Sequence, residues 1–420
     1  MTLVRTYREI FGIGEFRALF VSRCAFMAGV VIGGLALGTV MYQTTGSPLL
    51  TALAMFGGPL VQLVTSHFLL AGSDLMRPRT AIVLVGVTAG ATDFLQLIPG
   101  LPVWRRFALL AVGYVVAAAT GGTVMALLGD IVPPDAFVLG RSALNITVGG
   151  MQIIGNAIGA ILLLWLSATN LFVLSGGLSL LGAALARWRL ADHPPRGEGR
   201  IVDRTRSVNR ALLGSAVVRP IYVMSWLPNG LVVGCEAMFI PYAGTHGGWL
   251  LGAAAGGMLA GDIVIGRFVP EHVRDRLIVP LRVVLGVGFL PFALHPPVWL
   301  AALLAAAAAF GYPAALPLQE RLVHETSDDV RGQVFGLYGT GLMVGQALGA
   351  TIAGAVAQSI GGGSVGAGRV AALMAGASLV ASAALLPGLR RSDPRRLPGR
   401  SAPQAAAPGA PLAAPEPPGP

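Results

Sequence analysis

Lysine is absent from this 420-residue chain, so all 29 of its basic residues are arginine. Without lysine there is no P-loop ammonium and no Schiff base, which excludes a P-loop ATP-driven pump and lysine covalent catalysis. Cysteine is almost absent too: Cys24 and Cys235 lie in separate apolar runs and provide neither a zinc site nor a disulfide framework. They read as small core residues. Charge is scarce at 11% of residues, against about 25% in an ordinary soluble domain. The net charge of +10 does not indicate nucleic acid, because the arginines sit in short loops between apolar runs rather than on one basic face. No nucleophile, base and metal constellation is visible in the loops, so neither an enzyme nor a cofactor or metal site is expected. The arginine-bearing leader runs into a full-length apolar stretch without a small-residue cleavage site, unlike a cleaved signal peptide.

What the chain does have is apolar length: 54% of residues are hydrophobic and the mean hydropathy is +0.72. A helix rising ~1.5 Å per residue crosses a ~30 Å hydrocarbon layer in about twenty residues, and in lipid every peptide group must be satisfied within the protein. The runs therefore predict helical spans near 18-43, 48-70, 80-99, 106-128, 138-166 and 169-187, then 218-243, 247-268, 277-297, 298-319, 333-359 and 367-389. Turn chemistry separates them at Thr45-Gly46-Ser47-Pro48, Pro99-Gly100, Pro133-Pro134, Pro296-Pro297 and Gly361-Gly362-Gly363-Ser364. The expected fold class is an all-α membrane protein of twelve transmembrane helices in two pseudo-symmetric six-helix bundles, 1-187 and 213-389. A polar linker, 188-212, joins them, and a Pro/Ala/Arg-rich tail, 390-420, buries too little apolar surface to order itself.

Arginine bias sets the expected orientation. With both termini cytoplasmic, 24 arginines fall on inward segments and three, Arg105, Arg106 and Arg369, on outward loops; Arg23 and Arg282 lie within spans. A bacterial cytoplasmic membrane is the expected location.

The halves also resemble each other in order, the mark of a duplicated bundle. At an offset of 190, Arg141, Gly149, Gly155 and Gly159 meet Arg331, Gly339, Gly345 and Gly349, and Asp130 meets Glu320. At an offset of 197, Asp74, Arg77 and Arg79 meet Glu271, Arg274 and Arg276.

Ionisable groups deep in a membrane cost ~3 kcal/mol on insertion scales, so each is a functional candidate. Glu236 lies among Gly234, Pro228 and Pro241, residues that favour a bent or broken helix beside a cavity. It reads as the proton-coupling site or as a structural carboxylate paired with polar groups. Asp93 is the second proton-coupling candidate, with an interfacial ion pair to Arg105 or Arg106 as the other reading. Arg23 and Arg282 could take an anionic substrate group, neutralise a buried carboxylate, or snorkel to the interface. Asp262 reads as a surface pair with Arg267. Asn145, Gln152, Asn156 and Gln346 add hydrogen-bonding capacity, while Trp226 and nearby aromatics supply walls suited to an amphipathic substrate. The small residues Gly155, Gly159, Gly345 and Gly349 let helix backbones approach closely.

Four segments carry a family resemblance: Phe16-Arg17-Ala18-Leu19-Phe20; Tyr42-Gln43-Thr44-Thr45-Gly46-Ser47-Pro48-Leu49; Gly72-Ser73-Asp74-Leu75-Met76-Arg77-Pro78-Arg79; and Gly155-Asn156-Ala157-Ile158-Gly159-Ala160. They resemble, in turn, the start of the first helix, the Thr-Gly-Ser turn, the Asp-Arg-x-x-Arg-Arg loop and the helix-five antiporter motif of the major facilitator superfamily. The likeness is to its drug, macrolide and siderophore exporters and spans about residues 10-390. In the loop Pro78 stands where the family has a basic residue, and Asn156 stands where helix five usually has proline.

The resemblance implies proton-coupled efflux of a small amphipathic molecule by alternating access. It also implies a cytoplasmic latch between the bundles at Asp74, Arg77 and Arg79, with Glu271, Arg274 and Arg276 as the pseudo-symmetric partner set. Topology alone would also place arginines there. The expected partners are a small-molecule substrate, protons and the lipid bilayer, with no nucleic acid and a monomeric state. A nutrient importer and a transport-inactive sensor or scaffold are the competing readings.

Overall fold

The computed structural model describes residues 7–69, 76–120, 123–133, 165–194, 208–326 and 328–391, and between 140 and 163 residues 140, 143, 144, 151, 154, 155, 158, 159 and 161–163. The first half of the chain forms α1 (Gly14–Thr45), α2 (Pro48–Phe56), α3 (Gly58–Leu69), α4 (Pro78–Leu95), α5 (Val103–Ala119), α6 (Thr123–Ile131) and α7 (Ala168–Arg189). The second forms α8 (Val218–Glu236), α9 (Phe239–Ala243), α10 (Gly247–Ile263), α11 (Ile278–Val287), α12 (Val298–Ala309), α13 (Ala315–His324), α14 (Asp328–Ser359) and α15 (Gly363–Arg391). Among the described residues eight helices are long and apolar enough to cross a membrane, and α2 with α3, bent by 59°, bring the count to nine when the bent pair is taken as one span. Helices α4 and α5 occupy the expected spans 80-99 and 106-128, whereas 138-166 falls largely outside the described residues. The architecture is all-helical and consistent with twelve spans.

Local chemistry sets the breaks. Gly46 ends α1 in the left-handed region at φ 62°, its N–H bonded to the Tyr42 carbonyl, and Ser47 caps α2 by accepting from the Leu50 N–H, with Pro48 at the first helical position. The bend between α2 and α3 falls at Gly57-Gly58-Pro59, where proline supplies no N–H and crowds the residue before it. The break between α8 and α9, at Ala237 and Met238, lies one turn before Pro241, for the same reason.

The two halves repeat one packing scheme. In the first, α7 packs against both α1 and α4, and α3 against α5; in the second, α15 packs against both α8 and α11, and α10 against α12. Small residues make these seams close. A methyl on Gly182 would lie 2.8 Å from the Ser22 carbonyl, and one on Gly261 2.5 Å from that of Phe310. Gly349 and Gly230 meet more closely still, backbone on backbone, between α14 and α8.

The halves meet at the Thr45 end of α1. The two hydrogen bonds described between them are both there, Tyr42 Oη to the Pro241 carbonyl at 2.9 Å and Ser47 Oγ to Gln358 Oε1 at 2.8 Å. Helix α2 lies along α14, where a methyl on Gly354 would come within 2.8 Å of Leu49 Cα and 3.0 Å of Ala52 Cβ. At the arginine-rich end every described salt bridge stays inside its own half.

If Gly354 serves this approach, Gly354→Leu will part the halves at that end. With Ser47→Cys and Gln358→Cys introduced as a pair, crosslinking by a short bifunctional reagent should then fall several-fold, and an unchanged crosslinking rate would show that the contact does not depend on the missing side chain.

Candidate functional site

The second half builds a buried polar network around the broken α8. Pro228 sits within this helix and donates no N–H, so the Met224 carbonyl, four residues earlier, has no intrahelical partner. In lipid such a group must be satisfied by the protein. Arg282 of α11, 5% exposed, donates from Nη2 to that carbonyl at 3.2 Å, and Ser378 of α15 donates to the Pro228 carbonyl at 2.9 Å. Arg282 thus spends part of its guanidinium on the proline break, while its Nε has no hydrogen-bond partner among the described residues. The hydroxyls of Tyr312 and Tyr338 lie within its electrostatic reach.

Glu236 is the last residue of α8, at the break. Tyr312, in the short helix Tyr312–Ala314 between α12 and α13, donates its hydroxyl to Glu236 Oε1 at 2.7 Å. No arginine forms a salt bridge with Glu236 among the described residues. Toward the other end of α8, Gln346 Nε2 of α14 donates to Asn229 Oδ1 at 3.1 Å, and both residues are buried. Trp226 stacks on Tyr222 with centroids 4.9 Å apart and donates Nε1 to the Tyr338 carbonyl at 2.9 Å. Gln319 reaches the Tyr338 hydroxyl at 3.3 Å, which carries the network to α13. A methyl on Gly345 would lie 3.0 Å from the Trp226 carbonyl, so the α14 glycines admit both the Trp226 segment and the α8 backbone.

In the first half, Asp93 near the end of α4 is bonded by Ser175 of α7, and α1 faces the pair with Gly33. The expected alternative of an ion pair is not seen: Arg106 instead binds the Gln96 carbonyl at 3.0 Å and the Leu101 carbonyl at 3.2 Å, and Arg105 stacks over the Trp104 ring. Arg23 is partly buried, and its Nε has no partner among the described residues. Backbone at Gly155 and Gly159 faces α1, where added methyls would lie 3.1 Å from Val31 Cβ and 2.9 Å from Leu35 Cδ2. Asn145, Gln152, Asn156 and Asp74 lie outside the described residues, as does the side chain of Glu271.

The arginines expected in the latch have partners that sequence did not indicate. Arg77 and Arg79 both pair with Asp192, just past α7, and Glu15 accepts from the Ala191 N–H at 2.9 Å while lying 3.0 Å from His193. Arg274 pairs with Glu320 and donates to the Val269 and Gly266 carbonyls, each at 2.8 Å, freed where Val264–Phe268 widens into a π-helix. Beside it Arg321 grips Asp275 through both carboxylate oxygens, at 2.7 and 2.8 Å, and Arg276 is exposed. Asp275 and Arg321 carried one legible signal, since Arg274-Asp275 and Glu320-Arg321 are adjacent pairs that match across the gap. Asp192, Ser175 and Tyr312 carried none. Asp262 is not among the described salt bridges with Arg267.

Residues 237–415 match the model of the Major Facilitator Superfamily. No curated protein matches the chain. Several solved structures share the fold. A bacterial homolog of the human lysosomal transporter Spinster, in an inward-facing and occupied conformation, is 14% identical with a TM-score of 0.57 over 93% of each chain. The nucleoside transporter NupG is 14% identical with a TM-score of 0.62, over 89% of this chain and 99% of its own. A structure from work on proton dependent oligopeptide transporters is 12% identical with a TM-score of 0.63, over 90% of this chain and 99% of its own. The family match is confined to the second half, and the solved structures share the fold of nearly the whole chain.

Asp275→Ala leaves Arg321 without its bidentate carboxylate at a partly exposed site, for an expected loss of about 1 kcal/mol. Thermal unfolding in detergent should show the loss, and the exchange Asp275→Arg with Arg321→Asp should recover most of it. A double variant no better than the single would mean that the pair contributes nothing.

Proposed function

We propose that the chain is a proton-coupled secondary transporter that exports a small amphipathic molecule by alternating access between its two helical halves. One observation carries this reading: Glu236 is a carboxylate in mid-bundle, at a helix break, whose one described polar partner is a tyrosine hydroxyl. An ionised carboxylate in an apolar medium costs ~3 kcal/mol unless it is paired or wetted, so proton exchange at Glu236 depends on which side of the membrane admits water to it. That dependence is what couples a proton gradient to a rocking motion.

The distribution of contacts supports the motion. The halves are hydrogen-bonded at the Thr45 end, while the described ion pairs at the arginine-rich end join residues of the same half. With the arginine-rich end cytoplasmic, as the arginine bias favours, this is the inward-facing form. In it Arg77 and Arg79 rest on Asp192, and forming the latch with the other half would require exchanging that partner. The direction of transport rests on the turn Tyr42–Leu49, which resembles that of the exporters and forms the closed contact. A nucleoside transporter and oligopeptide transporters sharing the fold keep import as the second reading. Asn229, Gln346 and Trp226, with Arg23 on the facing half, are the proposed substrate contacts.

Inverted membrane vesicles loaded with a luminal pH dye and acidified inside will decide the matter. Adding a panel of amphipathic drugs and siderophores to the medium should release protons from the lumen for at least one compound. Glu236→Gln should abolish the response at normal expression, whereas an intact response in that variant refutes the coupling role.

A further inference from the structure

The first half holds a buried arrangement that the proposed cycle does not use. Ser175 Oγ lies 2.7 Å from the Gly29 carbonyl of α1 and in hydrogen-bonding contact with Asp93 Oδ2 of α4. Ser175 is fully buried. A serine hydroxyl has one proton to give, and a peptide carbonyl can only accept. If Ser175 donates to Gly29, the contact with Asp93 needs a proton from the carboxyl; if it donates to Asp93, two oxygens face each other at the Gly29 carbonyl with nothing between them. Both contacts are satisfied together only when Asp93 carries a proton.

We propose that Asp93 is a proton-binding site that, through Ser175 as its positioning residue, bolts α1, α4 and α7 together. In this state the Asp93 carboxyl donates to Ser175 Oγ and Ser175 donates to the Gly29 carbonyl. The glycines of α1 make the approach feasible: a methyl on Gly33 would fall 2.6 Å from Ser175 Oγ and 3.2 Å from Asp93 Oδ1, and one on Gly29 2.7 Å from Ser179 Oγ. The surroundings offer the ionised form little. Tyr114 is the titratable group of α5 that faces Asp93; Arg23, the partly buried cation of α1, forms no described salt bridge with it, and Arg105 and Arg106 are engaged on Trp104, Gln96 and Leu101. Asp130 of α6, which also packs on α4, lies toward the opposite end of the bundle and has contacts of its own.

Loss of the proton redirects the Ser175 hydroxyl to the carboxylate, releases the Gly29 carbonyl and places a charge between three helices. The helix so released, α1, is also the one that holds the closed end through Tyr42. The inference deepens the proton-coupled reading by adding a proton that governs helix packing in the first half.

The test uses the purified full chain in the Glu236→Gln background, so that it reads Asp93 whatever Glu236 does. Infrared difference spectra across a pH jump should show a protonated-carboxyl band near neutral pH. The band should vanish in Asp93→Asn and shift to the position of a free acid in Ser175→Ala. In parallel, the melting temperature of the wild-type chain in detergent should fall as pH rises and the bolt is lost. Asp93→Asn, whose amide can donate to Ser175 as the acid does, should flatten that slope. A neutral-pH spectrum without the band, a band insensitive to Asp93→Asn, or equal melting slopes in the wild type and Asp93→Asn would overturn the proposal. A lasting band beside undiminished coupling in Glu236→Gln would instead retire only the transport role of Glu236.

Discussion

In a chain this apolar no peptide group can leave a hydrogen bond to water, and the way that constraint is met around Pro228 organises the second half of the molecule. The proline orphans the Met224 carbonyl, Arg282 takes it, and Ser378 takes the proline's own carbonyl. A cation is thereby drawn into the bundle within reach of Tyr312, which in turn holds Glu236. The break that costs helical hydrogen bonds is thus the feature around which the ionisable groups gather.

Close packing follows from the second constraint, the weak hydrophobic drive between helices in lipid. Glycines on both partners let α8 and α14 meet backbone to backbone, and glycines on α1 let the Ser175–Asp93 pair reach its carbonyl. The same device serves the contact between halves at Gly354. Seams made by missing side chains can slide or rock without unlocking knobs from holes, as the proposed alternating-access cycle requires.

The ion pairs at the arginine-rich end have another character. They join loop to helix within one half, at partly exposed sites, and each is worth little on its own. Their value lies in geometry: Arg77 and Arg79 clip the start of the linker, and the crossed pairs Arg274–Glu320 and Asp275–Arg321 fix the turn before α11 against α13. The pseudo-repeat that aligned Arg274 with Arg77 is visible in position but not in partner, since Arg77 takes Asp192 and Arg274 takes Glu320.

Apolar length, turn chemistry and glycine spacing were enough to read the helical class, the turn at Gly46-Ser47-Pro48, the break near Glu236 and the glycine seams, since each follows from backbone chemistry local in sequence. The isolated charges within apolar runs were legible for the same reason, for their cost in lipid does not depend on their neighbours. Partner choice was not legible. That Arg282 would serve a carbonyl 58 residues away, that Tyr312 would hold Glu236, that Ser175 would stand between Asp93 and Gly29, and that Asp192 would take both loop arginines depends on which faces of distant helices are turned together. Composition fixes what must be buried and what must be satisfied; only the packed helices decide by whom.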